Sequence, residues 1–255
     1  MRISFRRAAL VLALAGAGSL YGNTLQLEPA QDNTLFQNAS GLVSNGAGPH
    51  AFVGVNNGGV IRRALLQFDL GVLPAGSIID AASLTLNASQ TQGTTPQVTL
   101  QAVTQAWGEG GSDAGSPGGS GAPSQPGDAT WVHTFYNTGS WTSAGGDFAA
   151  TISGSGTPAG VGSFTIPSSP QMVADVQSWF ATPAANFGWI VRGVESPVGN
   201  VLRIDSRENS VPENRPHLSI DFTPPTHSWN QDQDGNWDDL GNWAGGVVPG
   251  ALARR

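Results

Sequence analysis

The 255-residue chain contains no cysteine, which excludes a disulfide framework, a thiolate metal site and a cysteine nucleophile. Lysine is absent too, so that all eleven cations are arginine. Charged residues of either sign make up only 11% of the chain. Methionine is scarce and amphipathic helical stretches are almost missing. Beyond the N-terminus no apolar run approaches the length needed to span a bilayer.

The first residues read as an address label. Arg2, Arg6 and Arg7 form a positive n-region, Ala8 to Ala17 an apolar h-region, and the stretch to Gly22 offers small residues for cleavage. This is the pattern of a bacterial secretory signal, too short for a transmembrane helix. The expected product is secreted, extracellular or held at the cell surface. Without the three leader arginines, eight cations face eighteen acids, a net charge of −10. That balance argues against nucleic acid and anionic membranes as partners. A polyanionic ligand is resisted in bulk unless the arginines gather on one face.

The remainder suits one all-β domain. Thr24 to Leu27, Ala51 to Val55, Ile78 to Asn87 and Val98 to Ala102 are strand-like. Arg63 to Leu70 is the clearest strand, with Ala64, Leu66, Phe68 and Leu70 on one face and Arg63, Leu65, Gln67 and Asp69 on the other. Such signals recur at the rhythm of a sandwich or jelly roll. One helix is predicted after Ser169-Pro170, with Met172, Val173, Val176, Trp179 and Phe180 at helical spacing and a stop before Pro183. The Gly-, Ser- and Pro-rich stretches Gly108 to Gly127 and Thr151 to Gly162 read as mobile loops.

Seven charges fall between Arg203 and Asp221, with both signs interleaved. Leu202 and Ile204 alternate with Arg203 and Asp205; Leu218, Ile220 and Phe222 alternate with Ser219 and Asp221. Two half-buried strands are therefore expected around a polar connection.

These stretches together resemble the DNRLRE-domain family, also known as carbohydrate-binding module family 96. The resemblance rests on Arg63 to Leu70 with Leu73-Pro74-Ala75-Gly76, Gly108-Glu109 after Trp107, and Gly127 to Trp131. It continues through Trp141 to Phe148, the helix with Asn186 to Trp189, Ser206-Arg207-Glu208 and Arg215 to Leu218. It runs in order over roughly Leu25 to Phe222. It implies a secreted jelly-roll sandwich that binds polysaccharide as an accessory module beside enzymes or surface repeats. The tail is similar to Trp-rich repeats of autotransporter-like surface proteins, through Gly235 to Asp238, Asn242-Trp243 and Gly246 to Gly250. The expected organisation is a leader over 1–22, a sandwich over 24–223, and a Trp-rich linker or truncated repeat over 224–255.

Candidate chemistry has competing structural readings. Trp131, Tyr136 and Trp141 flank polar loops and are candidates for a sugar-stacking platform; buried aromatics are the alternative. Arg203 and Arg207 are candidate ligand forks. The reading that the Ser-Arg-Glu turn favours is instead an ion-pair network of Asp205, Arg207, Glu208 and Arg215 pinning the closing strands. Asp205 and Glu208 as a glycosidase pair lack an apolar pocket to raise one pKa, and their arginines oppose it. No enzyme activity is expected. Asn230, Asp232, Asp234 and Gly235 match the start of a calcium loop, but Gly241 stands where its final Glu belongs. No cofactor or catalytic metal is expected; a structural calcium stays open, with Asp32 and Asp221 as acids to watch. The leading reading is a carbohydrate-binding module, and its rival is a structural or adhesive spacer of a surface protein.

Overall fold

The computed structural model describes residues 23–93, 96–225, 236–243 and 248. The expected leader, the Asn230 to Gly235 turn and most of the Trp-rich tail lie outside the described residues. In chain order the strands are β1 (Asn23–Leu27), β2 (Gln31–Phe36), β3 (Val43–Ser44), β4 (His50–Val55) and β5 (Ile61–Gln67). They continue with β6 (Ile78–Thr91), β7 (Val98–Ala102), β8 (Ala122–Pro123), β9 (Gly154–Gly156) and β10 (Gly162–Ile166). Helix α1 (Pro170–Ala181) follows, then β11 (Trp189–Arg192), β12 (Leu202–Asp205) and β13 (His217–Thr223).

All these strands pair antiparallel; β3 and β8 form a small sheet of their own, and the other eleven make two layers joined at one corner. The long β6 organises the first layer. Its Leu84 pairs with both Ile166 and Leu218, and its Ala88 with both Gly162 and Ile204. Strand β10 therefore holds one edge, and β13 followed by β12 holds the other. Strands β1 and β4 extend that layer beyond β13 and β12. The second layer runs β2, β5, β11, β7, β9.

Strand β4 belongs to both layers. Residues His50 to Val53 pair with β12, whereas Gly54 and Val55 pair with β5. The chain turns between layers at Gly54, which has φ +100° and lies so close to Asn200 that a Cβ would sit 2.8 Å from its carbonyl oxygen. Only glycine takes that conformation without strain. The all-β antiparallel sandwich with one short helix is thus the observed architecture.

Alternation along each strand fills the space between layers. Ala64, Leu66, Leu84, Leu86, Leu100, Trp189, Val191, Leu202, Ile204, Leu218 and Ile220 are all buried there. Helix α1 adds Met172, Val176 and Trp179 to this core. It begins where Ser169 accepts the Met172 N–H and Pro170 takes the first turn, as capping chemistry dictates. Its buried Asp175 is satisfied by Trp189 Nε1 at 2.9 Å, Gln171 at 2.8 Å and Ser153 at 2.5 Å. Trp179 and Trp189 meet edge to face at 4.7 Å.

A second core lies on the opposite face of β5 and β11. Leu35, Leu65 and Ile190 pack there against Val103, Trp107, Ala129, Trp131 and Trp141. The segment from Val103 to Phe148 supplies this cover, which corrects the expectation of a mobile loop over Gly108 to Gly127. Its Ser112 carbonyl accepts the Ala47 N–H at 2.8 Å, Ala114 N donates to Asn45 at 2.8 Å, and β8 pairs with β3. These bonds and the tryptophan burial offset an ordering cost that composition alone makes look prohibitive. Part of the second low-complexity stretch is also regular: β9 adds to the edge of β7.

Candidate functional site

Two places in the molecule concentrate polar chemistry. The first is a groove where the two layers meet, with a volume of about 300 Å³. Arg203 of β12 lies in register between Gln90 of β6 and Phe52 of β4. Its neighbours Leu202 and Ile204 are buried in the interior, so alternation turns the arginine outward. Arg62, at the start of β5, joins Phe52, Arg203, Gln90 and Gln92 in the groove lining, and Pro117 to Ser120 close one side.

The arginines of this groove differ from the others. Arg63 and Arg192 share Glu195, Arg207 binds Glu109 and Glu208, and Arg215 reaches Glu28. Among the described residues no carboxylate lies within 4.0 Å of Arg62 or Arg203. Arg62 is buried, with its guanidinium 5.5 Å from the Phe36 ring centre. It donates to the carbonyls of Val60 at 3.1 Å and Gly119 at 2.7 Å, while its Nε has no partner. Burial lowers its pKa from the ordinary arginine range. Arg203 donates from Nε to Ser89 Oγ at 3.0 Å, which leaves the Nη1 end of its fork for a ligand.

The second place is an acidic centre around Arg207. The Arg207 guanidinium grips Glu109 in a two-pronged pair, at 2.6 and 3.0 Å, and meets Glu208 at 2.7 Å. Its backbone N–H donates to Asp32 Oδ2 at 2.7 Å, and Asp32 N donates to Glu109 Oε1 at 2.9 Å. One ligand atom from each of Asp32, Glu109 and Glu208 lies within 4.8 Å of the others. Asp32 Oδ1 and Glu208 Oε2 are buried without a hydrogen-bond partner. Burial, then repulsion from Glu208, pushes the Asp32 carboxyl well above its ordinary range. Burial, then Glu109, raises Glu208 as well. Burial works against the charge of Arg207, but its bond to Glu109 prevails and raises its pKa.

Local packing makes this centre possible. Asn33 Nδ2 holds the Glu109 carbonyl at 2.7 Å. Gly46 lies beneath it so closely that a Cβ would come within 1.8 Å of that carbonyl oxygen. The covering segment is thereby drawn onto β2.

The predicted site residues distribute over several environments. Trp131 and Trp141 are buried in the second core rather than forming a surface platform: Trp141 Nε1 donates to Thr130 O at 2.9 Å, and Arg63 stacks 4.8 Å from the Trp131 ring. Tyr136 is half-buried, edge to face with His133 at 5.3 Å. None of the three lines the groove. Arg203 does, and Arg207 is occupied by carboxylates. The proposed network of Asp205, Arg207, Glu208 and Arg215 is not one network. Asp205 accepts from His50 Nδ1 at 2.9 Å and Asn87 at 2.7 Å, and Arg215 pairs with Glu28 at 3.0 Å. Burial, then the charge of Arg203, keeps His50 below its ordinary pKa against the pull of Asp205. Asp221 lies at the β1–β13 edge, accepting from Thr24 at 2.6 Å, remote from the acidic triad.

Sequence reading missed Phe52, Arg62 and Glu109 as functional candidates. For Arg62 a signal existed: one step back along the Ala64, Leu66, Phe68 face stands an arginine where an apolar residue belongs. No family model matches this chain, and no curated protein is significantly similar to it.

Proposed function

We propose that this protein is a non-catalytic carbohydrate-binding module that takes an acidic polysaccharide in the groove between Phe52, Arg62 and Arg203. The observation that carries this reading is the pair of groove arginines that no carboxylate of the described residues meets, in a chain of strong negative balance. A guanidinium fork matches a sugar carboxylate in two-pronged geometry. Gln90, Gln92 and Asn56 supply amide groups for ring hydroxyls, and Phe52 gives an apolar floor. The groove has the volume of a small ligand site. The ordered resemblance to the DNRLRE family supports the carbohydrate class, and the signal-like first residues support secretion.

Affinity electrophoresis of the purified chain through gels containing a polyuronate or a neutral glucan tests the reading. Retardation by the polyuronate is expected, weakened about tenfold by Arg203→Ala, the effect of losing roughly 1.4 kcal/mol of charge-assisted bonding. Retardation by the neutral glucan alone overturns the acidic class. No retardation on any polysaccharide overturns binding and leaves the spacer reading. Release of sugar from either gel overturns the non-catalytic assignment.

A further inference from the structure

The three carboxylates at Arg207 carry more negative charge than their surroundings neutralise. Asp32, Glu109 and Glu208 face one guanidinium, so the ionised cluster keeps a surplus of two negative charges. Its strongest oddity is Asp32. Asp32 is 1% exposed, its carboxylate lies in the cluster, its Oδ2 accepts the Arg207 N–H, and its Oδ1 is buried with no partner. Glu208 repeats the arrangement: Oε1 meets Arg207 and Oε2 is buried and unpartnered. An orphaned carboxylate oxygen in a protein interior is costly unless something positive meets it.

We propose that Asp32, Glu109 and Glu208 bind one divalent cation, calcium by ligand type and number. A calcium ion takes oxygen ligands at about 2.3–2.6 Å, so two oxygens on opposite sides of it stand about 4.6–5.2 Å apart. The three carboxylates offer oxygens mutually within 4.8 Å. Magnesium dehydrates reluctantly and is usually held through one or two carboxylates and several waters, whereas three converging carboxylates suit calcium. The chain holds no thiolate, and His50 is committed to Asp205, which leaves a hard, all-oxygen site. A charge of +2 matches the surplus. Arg207 then acts as a positioning residue: its guanidinium holds both oxygens of Glu109 and Oε1 of Glu208, its backbone N–H holds Asp32 Oδ2, and the unpartnered Asp32 Oδ1 and Glu208 Oε2 are left for the ion. The ion would tie β2, the covering segment after β7 and the turn after β12, three stretches that no local sequence interaction joins. This site is separate from the glycan groove, and neither reading depends on the other.

The test uses the full chain, stripped with chelator and returned to calcium-free buffer. Isothermal titration with calcium is expected to show one ion per chain. At 2 mM calcium the melting temperature should rise by about 5 °C or more over the chelated protein. Hydrogen exchange should slow in residues 104–127 and 206–211 and stay unchanged in β13. Asp32→Asn should abolish the titration. Glu208→Gln, which keeps the size and shape of the side chain, should weaken it at least tenfold, and Asp221→Asn should leave it intact. No heat of binding together with identical melting in chelator and calcium overturns the proposal. So does wild-type affinity in Glu208→Gln, a readout that survives even if Asp32→Asn fails to fold. Binding of magnesium without calcium overturns the choice of calcium.

Discussion

Glu195 illustrates how this protein uses its few charges. The carboxylate lies between Arg63, at 2.7 and 3.0 Å, and Arg192, at 3.2 and 3.3 Å. Arg63 in turn stacks on Trp131 and Phe148, and Arg192 on Phe148. Burial alone would raise the Glu195 pKa, but the bonds from the two arginines prevail and hold it below the ordinary glutamate value of 4.5. A carboxylate with a depressed folded pKa stabilises fully above the unfolded pKa and loses that contribution as pH falls through the folded one. Glu195→Gln is therefore expected to cost roughly 3 kcal/mol at pH 7, since it leaves two part-buried cations uncompensated. The difference from wild type should shrink below about pH 4.5, because protonation then removes the same charge from the wild type. Urea denaturation of both proteins at pH 7 and pH 4 checks this. The same residue-scale logic separates the groove from the rest: an arginine that already has a carboxylate is structural, and one that lacks it can take a ligand's.

At the scale of elements, the decisive feature is the corner in β4. Four residues of that strand serve one layer and two serve the other, with Gly54 at the crossing. Gly54→Ala combines a left-handed φ with a methyl 2.8 Å from the Asn200 carbonyl and side-chain oxygens. Its expected cost is about 2–3 kcal/mol, above the ~1–2 kcal/mol of the conformation alone. Gly59→Ala is the control, with φ +76° and nothing within 4 Å, and should lose only ~1–2 kcal/mol. Comparison of the two by equilibrium denaturation isolates the close approach. The regular elements were legible in the sequence for a plain reason. Ala64, Leu66, Phe68 and Leu70 share one face in the alternation and all enter the interior core. Ser169 and Pro170 mark the helix start through local capping chemistry. Both signals arise from neighbours in the chain.

Across the whole molecule, the covering segment from Val103 to Phe148 gives the second layer an inside on both of its faces. Sheets buried on both sides read as continuous apolar runs rather than clean alternation, and β11 obeys this with Trp189, Ile190 and Val191 all buried. Trp131→Ala should open a cavity in the outer core and cost about 3–5 kcal/mol. Under native conditions it should leave polyuronate retardation unchanged, because Trp131 does not line the groove. A loss of retardation without a loss of stability would instead restore the stacking role that its position beside polar loops suggested. Thermal melts run beside the affinity gels distinguish the two.

The sequence by itself determined the strand faces, the helix and its cap, the absence of sulfur chemistry and the all-β class. Those follow from periodicity and composition, which act over a few residues. Only the tertiary structure decided which tryptophans are core, since their burial depends on a Gly-rich segment folding back over a distant sheet face. It likewise decided that Arg62 and Arg203 share one groove that no carboxylate of the described residues enters, and that Asp32, Glu109 and Glu208 meet at Arg207. The partners in each case are far apart in the chain, and their charges acquire meaning only when burial removes the water between them.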